Sequence, residues 1–132
     1  MDRKYGNVSS GALIFVEIQQ HKVGDCVVLA PVGRLVLGGP AEEYEQRTQL
    51  ALAEGIRMVV TDFREVTHID STGIRSVIRG YTSAQRLSAG FRLAGMTPVV
   101  RMVMQVTHLD TVIPMFETLE GALGETAGGK GA

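Results

Sequence analysis

The sequence predicts an α/β fold: a mainly parallel mixed sheet of about five strands with one antiparallel edge, packed as a sandwich with about four helices. Three observations lead there. Near the start, Ile14, Val16 and Ile18 alternate with Phe15, Glu17 and Gln19, the period of a half-buried strand. Further on, Met58-Val59-Val60-Thr61-Asp62-Phe63 is a largely apolar run of strand length, as expected of a strand covered on both faces. Between Thr72 and Ser88, apolar residues return at spacings of three and four, the repeat of a helix lying on a core.

Taken in order, the first strand ends at a turn through Val23, Gly24 and Asp25, and Cys26 to Ala30 reads as a second strand hairpinned to it, with Pro31 and Gly33 at its far end. After Gly38-Gly39-Pro40, residues Ala41 to Glu54 form a helix. Glu42 and Glu43 complement the dipole in its first turn, Gly55 stops it, and a narrow stripe through Tyr44, Thr48, Ala51 and Leu52 faces inward. Met58 to Phe63 is the central strand, and a short polar loop leads from it to the second helix. That helix carries Ile74, Val77, Ile78, Tyr81, Ala84 and Leu87 or Ser88 on one side, and Gly90 closes it. Phe91 to Gly95 is a short strand. Pro98 opens a third helix with Val99, Val103 and Val106 as its apolar positions, and Ile113 to Phe116 leads into a last helix from Glu117 to Leu123. Strands and helices thus alternate from the second strand onward, which requires parallel neighbours joined by right-handed crossovers.

A chain of 132 residues with 45% apolar and 20% charged side chains has the size and composition of one globular domain. Its body is expected over 13–123, with loosely held ends at 1–12 and 124–132 that have little to bury. Thirteen basic and fourteen acidic side chains leave a net charge of -1, without the electrostatic footprint of a nucleic-acid binder. Cys26 stands alone, which excludes an internal disulfide and a cysteine-based zinc site and fits a reducing compartment. No apolar run approaches the roughly 18 residues of a membrane span, and the opening residues lack the pattern of a signal peptide, so the expected location is cytoplasmic, with no membrane insertion.

Chemistry concentrates where the central strand gives way to the second helix, in Val66-Thr67-His68-Ile69-Asp70-Ser71-Thr72-Gly73-Ile74. A helix start presents unpaired N–H groups and a partial positive charge, so Asp70, Ser71 or Thr72 suits a cap, and the position accepts an anion. Gly73 allows another stretch of backbone to approach. Arg75 lies four residues beyond Ser71 on the same helical face, and with Arg79, Ser83 and Arg86 it forms a basic stripe, read either as an ordinary solvated face or as a surface for an acidic partner.

The same segment, with Asp62-Phe63 before it, resembles the signature of the STAS domain, the fold shared by bacterial anti-sigma factor antagonists and the cytoplasmic tails of sulfate transporters. Pro31-Val32-Gly33-Arg34-Leu35, Phe91-Arg92-Leu93-Ala94-Gly95 and Thr97-Pro98-Val99-Val100 extend the resemblance across roughly 13–123. It implies a non-enzymatic partner-switching regulator of transcription, without cofactor or metal. Such an antagonist binds an anti-sigma factor that is also a serine kinase and so frees the sigma factor. Phosphorylation switches it off and a serine phosphatase restores it. The phosphoacceptor implied here is Ser71, with Asp70, Thr72, Gly73, Arg75 and Arg79 at the partner-binding surface. One position departs from the family pattern: Val36 follows Gly33-Arg34-Leu35 where antagonists usually carry Asp. That departure supports an alternative in which the chain is an unphosphorylated STAS scaffold or the small subunit of a signalling or transport assembly.

Other signals are weaker. Val66-Thr67-His68-Ile69-Asp70-Ser71 is echoed by Val106-Thr107-His108-Leu109-Asp110-Thr111, but one short echo is neither a repeat architecture nor a metal-ligand spacing. His68, Asp70 and Ser71 are too close in sequence to converge as a hydrolase triad, and no Gly-x-Ser-x-Gly elbow is present. Asp62 at a strand end suggests a phosphoacceptor receiver domain, yet Gln19-Gln20 occupies the place of that family's acidic pair, and none of Lys4, Lys22 and Lys130 is suitably placed.

Overall fold

Six strands and four helices are found in the computed structural model, which describes residues 17–128. The strands are β1 (Glu17–Val23), β2 (Cys26–Leu35), β3 (Met58–Asp62), β4 (Val66–Ile69), β5 (Gly90–Ala94) and β6 (Met115–Phe116). The helices are α1 (Pro40–Ala53), α2 (Ser71–Arg86), α3 (Pro98–Val106) and α4 (Leu119–Gly128). Strand order is β1-β2-β3-β5-β6, with β1 antiparallel to β2 and the other pairs parallel, as the alternating pattern predicts.

The faces of the sheet follow from period two. Val27, Leu29, Val59, Phe91 and Leu93 point to one side, where they meet Tyr44, Leu52, Val77, Ala84, Val100 and Met104 of α1, α2 and α3. Cys26, Val28, Val60 and Ala94 point to the other, under Ala122 of α4. Both faces of the central strands are therefore covered, which is why β3 reads as an unbroken apolar run. On α1 the narrow stripe is as expected: Tyr44, Thr48, Ala51 and Leu52 are all buried. Tyr44 is sealed from solvent, and its hydroxyl meets Thr61 Oγ1 at 2.6 Å, giving two polar groups inside the core a mutual partner. The Cys26 thiol is pushed up to about 11 by burial, opposed in part by the positive charge of Arg92, so it behaves as a small apolar core residue.

Two local expectations need correction, and the third helix is settled by its packing. The polar loop after β3 contains β4, which pairs parallel with Gly33–Leu35 of β2 once β3 has run out at Leu29. A bulge at Gly33 and Arg34 accommodates the change of partner, and a four-residue strand with Thr67 and His68 exposed has too little apolar alternation to register in sequence. On α2 the buried line runs through Gly73, Ser76, Val77, Gly80, Ser83 and Ala84, whereas Ile78 and Leu87 are exposed. The helix packs by small residues: a Cβ on Gly80 would lie 2.8 Å from the Phe91 ring and 3.1 Å from Thr48 Cγ2, and Ser76 Oγ donates to the Ala41 carbonyl at 3.0 Å. On α3 the buried residues are Val100 and Met104, while Val99 and Val106, two of the three apolar positions that the sequence marks on this helix, are exposed.

The last helix starts two residues later than expected and runs to Gly128, past Leu123. Residues 1–16 and 129–132 lie outside the described residues, and with them the expected N-terminal extension, the first residues of the expected first strand and the end of the expected tail.

Candidate functional site

Strand polarity brings the loop after β2, the end of β4 and the start of α2 together. Asp70 is the N-cap of α2, in extended conformation, and its two carboxylate oxygens serve different masters. Oδ1 accepts from the Gly73 N–H at 2.9 Å, within the helix start, and Oδ2 accepts from the Leu37 N–H at 3.0 Å, in the loop between β2 and α1. One side chain thus caps the helix and ties it to the end of β2. These two N–H groups, Leu37 first and then Gly73, hold the carboxyl below its ordinary range because each stabilises the anion. Gly73 is buried where α2 meets β2: a Cβ there would run into the Leu35 carbonyl oxygen and come within 2.8 Å of Ile69 Cγ1. Only glycine lets the helix start sit this close.

Ser71 is the first residue of α2. It is exposed, and its hydroxyl makes no side-chain hydrogen bond to another described residue. Thr72 is half-buried, and its carbonyl accepts from Ser76 Oγ at 3.1 Å. Arg75 is exposed four residues after Ser71. Arg79 is exposed too but engaged, 3.4 Å from Glu45 of α1. Ser83 does not belong to the basic stripe: it is 7% exposed and accepts from Gln49 Nε2 at 3.0 Å. The outward line of α2 is therefore Ser71, Arg75, Ile78, Arg79 and Arg86, with an aliphatic side chain among the cations.

The discarded readings also find their residues elsewhere. The His68 ring meets Thr67 Oγ1 at 2.9 Å, and both Asp70 oxygens are taken by main-chain N–H groups, so neither is directed at Ser71 as a base or an orienting acid. Asp62 is 4% exposed and clamped by Arg64, whose guanidinium lies 2.8 Å away and whose main-chain N–H also donates to it. Among the described residues no three His, Cys, Asp or Glu side chains gather as a metal site, and no helix is long and apolar enough to cross a membrane.

Sequence reasoning did not anticipate the bond from Leu37 to Asp70, which joins residues 33 apart and has no local signal. It also missed the crevice beside it, about 320 Å³, walled by Ile18, Pro31, Val32, Leu35, Val36 and Leu37.

The strand-to-helix junction thus sets an exposed serine directly after a capping aspartate, on a mixed and mainly parallel sheet. The STAS domain family model matches residues 17–122, and the chain belongs to that family. Among solved structures, a putative anti-sigma factor antagonist from Thermotoga maritima is similar at TM-score 0.79 and 21% identity, covering 84% of this chain and 95% of that one. The Bacillus cell-fate determinant SpoIIAA in its phosphorylated form is similar at TM-score 0.68 and 22% identity, covering 83% and 98%. A sulfate transporter family protein from Wolinella succinogenes is similar at TM-score 0.70 and 15% identity, covering 80% and 87%. No curated protein sequence matches the chain.

Proposed function

We propose that this chain is a cytoplasmic, non-enzymatic anti-sigma factor antagonist, which binds an anti-sigma factor serine kinase to free the sigma factor and is switched off by phosphorylation of Ser71. The observation that carries the reading is the Ser71 hydroxyl, exposed and without a side-chain partner among the described residues, at the first position of a helix whose cap is already filled by Asp70. The partner supplies ATP, magnesium and the catalytic base. Ser71 Oγ attacks the γ-phosphorus, its proton passes to that base, and ADP leaves.

The physics separates the effect on the fold from the effect on binding. A phosphoserine at the first helical position adds about -1.5 to -2 charges where the helix dipole favours anions, and Arg75 lies one turn away to pair with it, so the fold tolerates the group. A partner packed on the face of Ser71, Thr72, Gly73, Arg75 and Arg79 has to desolvate that dianion or meet it with like charge. A loss of about 3 kcal/mol, modest for such a burial, is already about a hundredfold in affinity. A serine phosphatase that removes the phosphate restores binding.

The test is incubation with ATP and the serine kinase of the same regulatory system, followed by mass mapping. Phosphate is expected on Ser71 and absent from Ser71→Ala; a phosphate that persists in that variant defeats the assignment. A second reading draws on Val36, whose apolar side chain lines the crevice at a position usually acidic in antagonists. In that reading the chain is an unphosphorylated scaffold or small subunit of a signalling or transport assembly. Co-purification with a transport or signalling complex, together with no phosphate on Ser71 in cells, would favour it.

A further inference from the structure

The crossovers from β2 to β3 and from β3 to β5 both join parallel strands, so α1 and α2 run parallel, side by side on the same face of the sheet. Their contacts keep one offset. Ser76 Oγ donates to the Ala41 carbonyl, Arg79 to Glu45, and Gln49 Nε2 to Ser83 Oγ, residues 35, 34 and 34 apart, so each level of α1 matches a level of α2 about 34 positions further on. At matching levels the two helices carry opposite charge. Glu42 is exposed and Glu45 half-buried on α1, while Arg75 and Arg79 are exposed on α2. Of these cations Arg79 is paired, 3.4 Å from Glu45, and Arg75 makes no ion pair among the described residues. A shallow depression of about 750 Å³ runs along α1 past Glu42, Gln46, Leu50 and Ala53, and Leu50 within it is 61% exposed.

We propose that this two-helix face is the contact surface for a second copy of the chain, in a two-fold dimer that lays α1 of each copy over α2 of the other. Two parallel helices can meet their own copy face to face about an axis across them or an axis along them. The axis across them sets each helix on its own counterpart with the direction reversed, which brings Glu42 toward Glu54 and Arg75 toward Arg86, like against like. The axis between and along them exchanges the helices and preserves every level, so acid meets base. Glu42 then faces Arg75 of the second copy, Glu45 faces its Arg79, and each pair occurs twice by symmetry. Because Arg79 already holds Glu45 of its own chain, four side chains join in one network about the axis, the setting in which surface ion pairs contribute more than they do singly. Leu50 comes to lie between Thr82 and Arg86 of the second copy, where the aliphatic stem of the arginine covers it. Exposed ion pairs and one covered leucine per copy make a weak, reversible dimer. It occupies Arg75 and Arg79, so self-association and the partner binding proposed above exclude each other, but the dimer itself does not rest on that reading.

Analytical ultracentrifugation of the full chain tests it. A reversible dimer is expected, with a Kd at least about tenfold weaker at about 0.5 M than at about 0.05 M salt, because salt screens exposed charges. At low salt Arg75→Glu and Glu42→Arg should each weaken the dimer at least about tenfold, since either substitution turns two attractions into two repulsions. An equimolar mixture of the two variants should restore it, because both contacts of the mixed dimer regain opposite charges. An unaltered chain that stays monomeric up to about 1 mM overturns the proposal. So does a dimer indifferent to salt or to charge reversal, which would point to an uncharged surface such as α3 with its exposed Val99, Met102 and Val106. A mixture that stays monomeric contradicts the pairing of α1 with α2. Glu42 also accepts from the Gly39 N–H at the start of α1, so should Glu42→Arg fail to fold, Leu50→Arg gives an independent measure. That exposed substitution is expected to weaken the dimer with the unfolding midpoint of the monomer unchanged, and undiminished dimerisation contradicts the proposed face.

Discussion

Asp70 is the residue on which the site's geometry turns, because its carboxylate satisfies one donor in α2 and one in the loop after β2. The linkage has a definite sign. A carboxyl held below its ordinary range in the folded state contributes stability that is fully present above the unfolded pKa of about 3.9 and is lost as pH falls through the folded value. Asp70→Ala is therefore expected to cost about 1 to 2 kcal/mol near pH 6, and the gap to the unaltered protein should narrow below about pH 4; urea unfolding at the two pH values checks this. A gap that stays constant with pH would mean that the bonds, and not the charge, carry the effect. The cap was legible in sequence, since Asp, Ser and Thr ahead of an apolar helix have few other uses. Its second bond, to Leu37, was not, because nothing local records a contact across 33 residues.

At the scale of elements, α2 and α3 show why apolar spacing alone can choose the wrong face. A hydropathy pattern weighs Ile78 and Leu87 heavily and gives little weight to glycine and serine, yet α2 lies close to α1 and Phe91 through Gly80, Ser76 and Ser83, where a bulkier side chain has no room. The repeat of small residues at 73, 76, 80 and 83 was visible and is the signal that finds this face. On α3 two apolar sets compete over nine residues, Val99, Val103 and Val106 against Val100 and Met104, and period alone cannot choose between them. The choice is made by what the helix covers: Val100 and Met104 belong to the same buried cluster as Phe63, Val66 and Leu93. Accordingly Met104→Ala should destabilise by about 2 to 5 kcal/mol, whereas Val106→Ala, at a side chain 71% exposed, should stay within about 0.5 kcal/mol. Thermal or denaturant unfolding of the two variants distinguishes the faces, and a reversed ranking would contradict the packing described.

For the whole molecule, the alternation of strands and helices was enough to establish a parallel sheet with an antiparallel edge, and the chain's place in the STAS family agrees with it. The exception was β4, too short and too polar to announce itself, and it is this strand that delivers Asp70 and Ser71 to the end of β2. The arrangement confines the proposed switch to one helix start: a phosphate on Ser71 adds charge where α2 tolerates it and alters the surface a partner must cover. The most direct measurement is the Kd of the partner kinase for the chain with and without phosphate on Ser71, with the unfolding midpoint of both forms recorded. The account predicts affinity weakened at least about a hundredfold at a midpoint changed by no more than a few degrees. Equal or tighter binding of the phosphorylated chain, or a phosphate that unfolds it, would contradict the account.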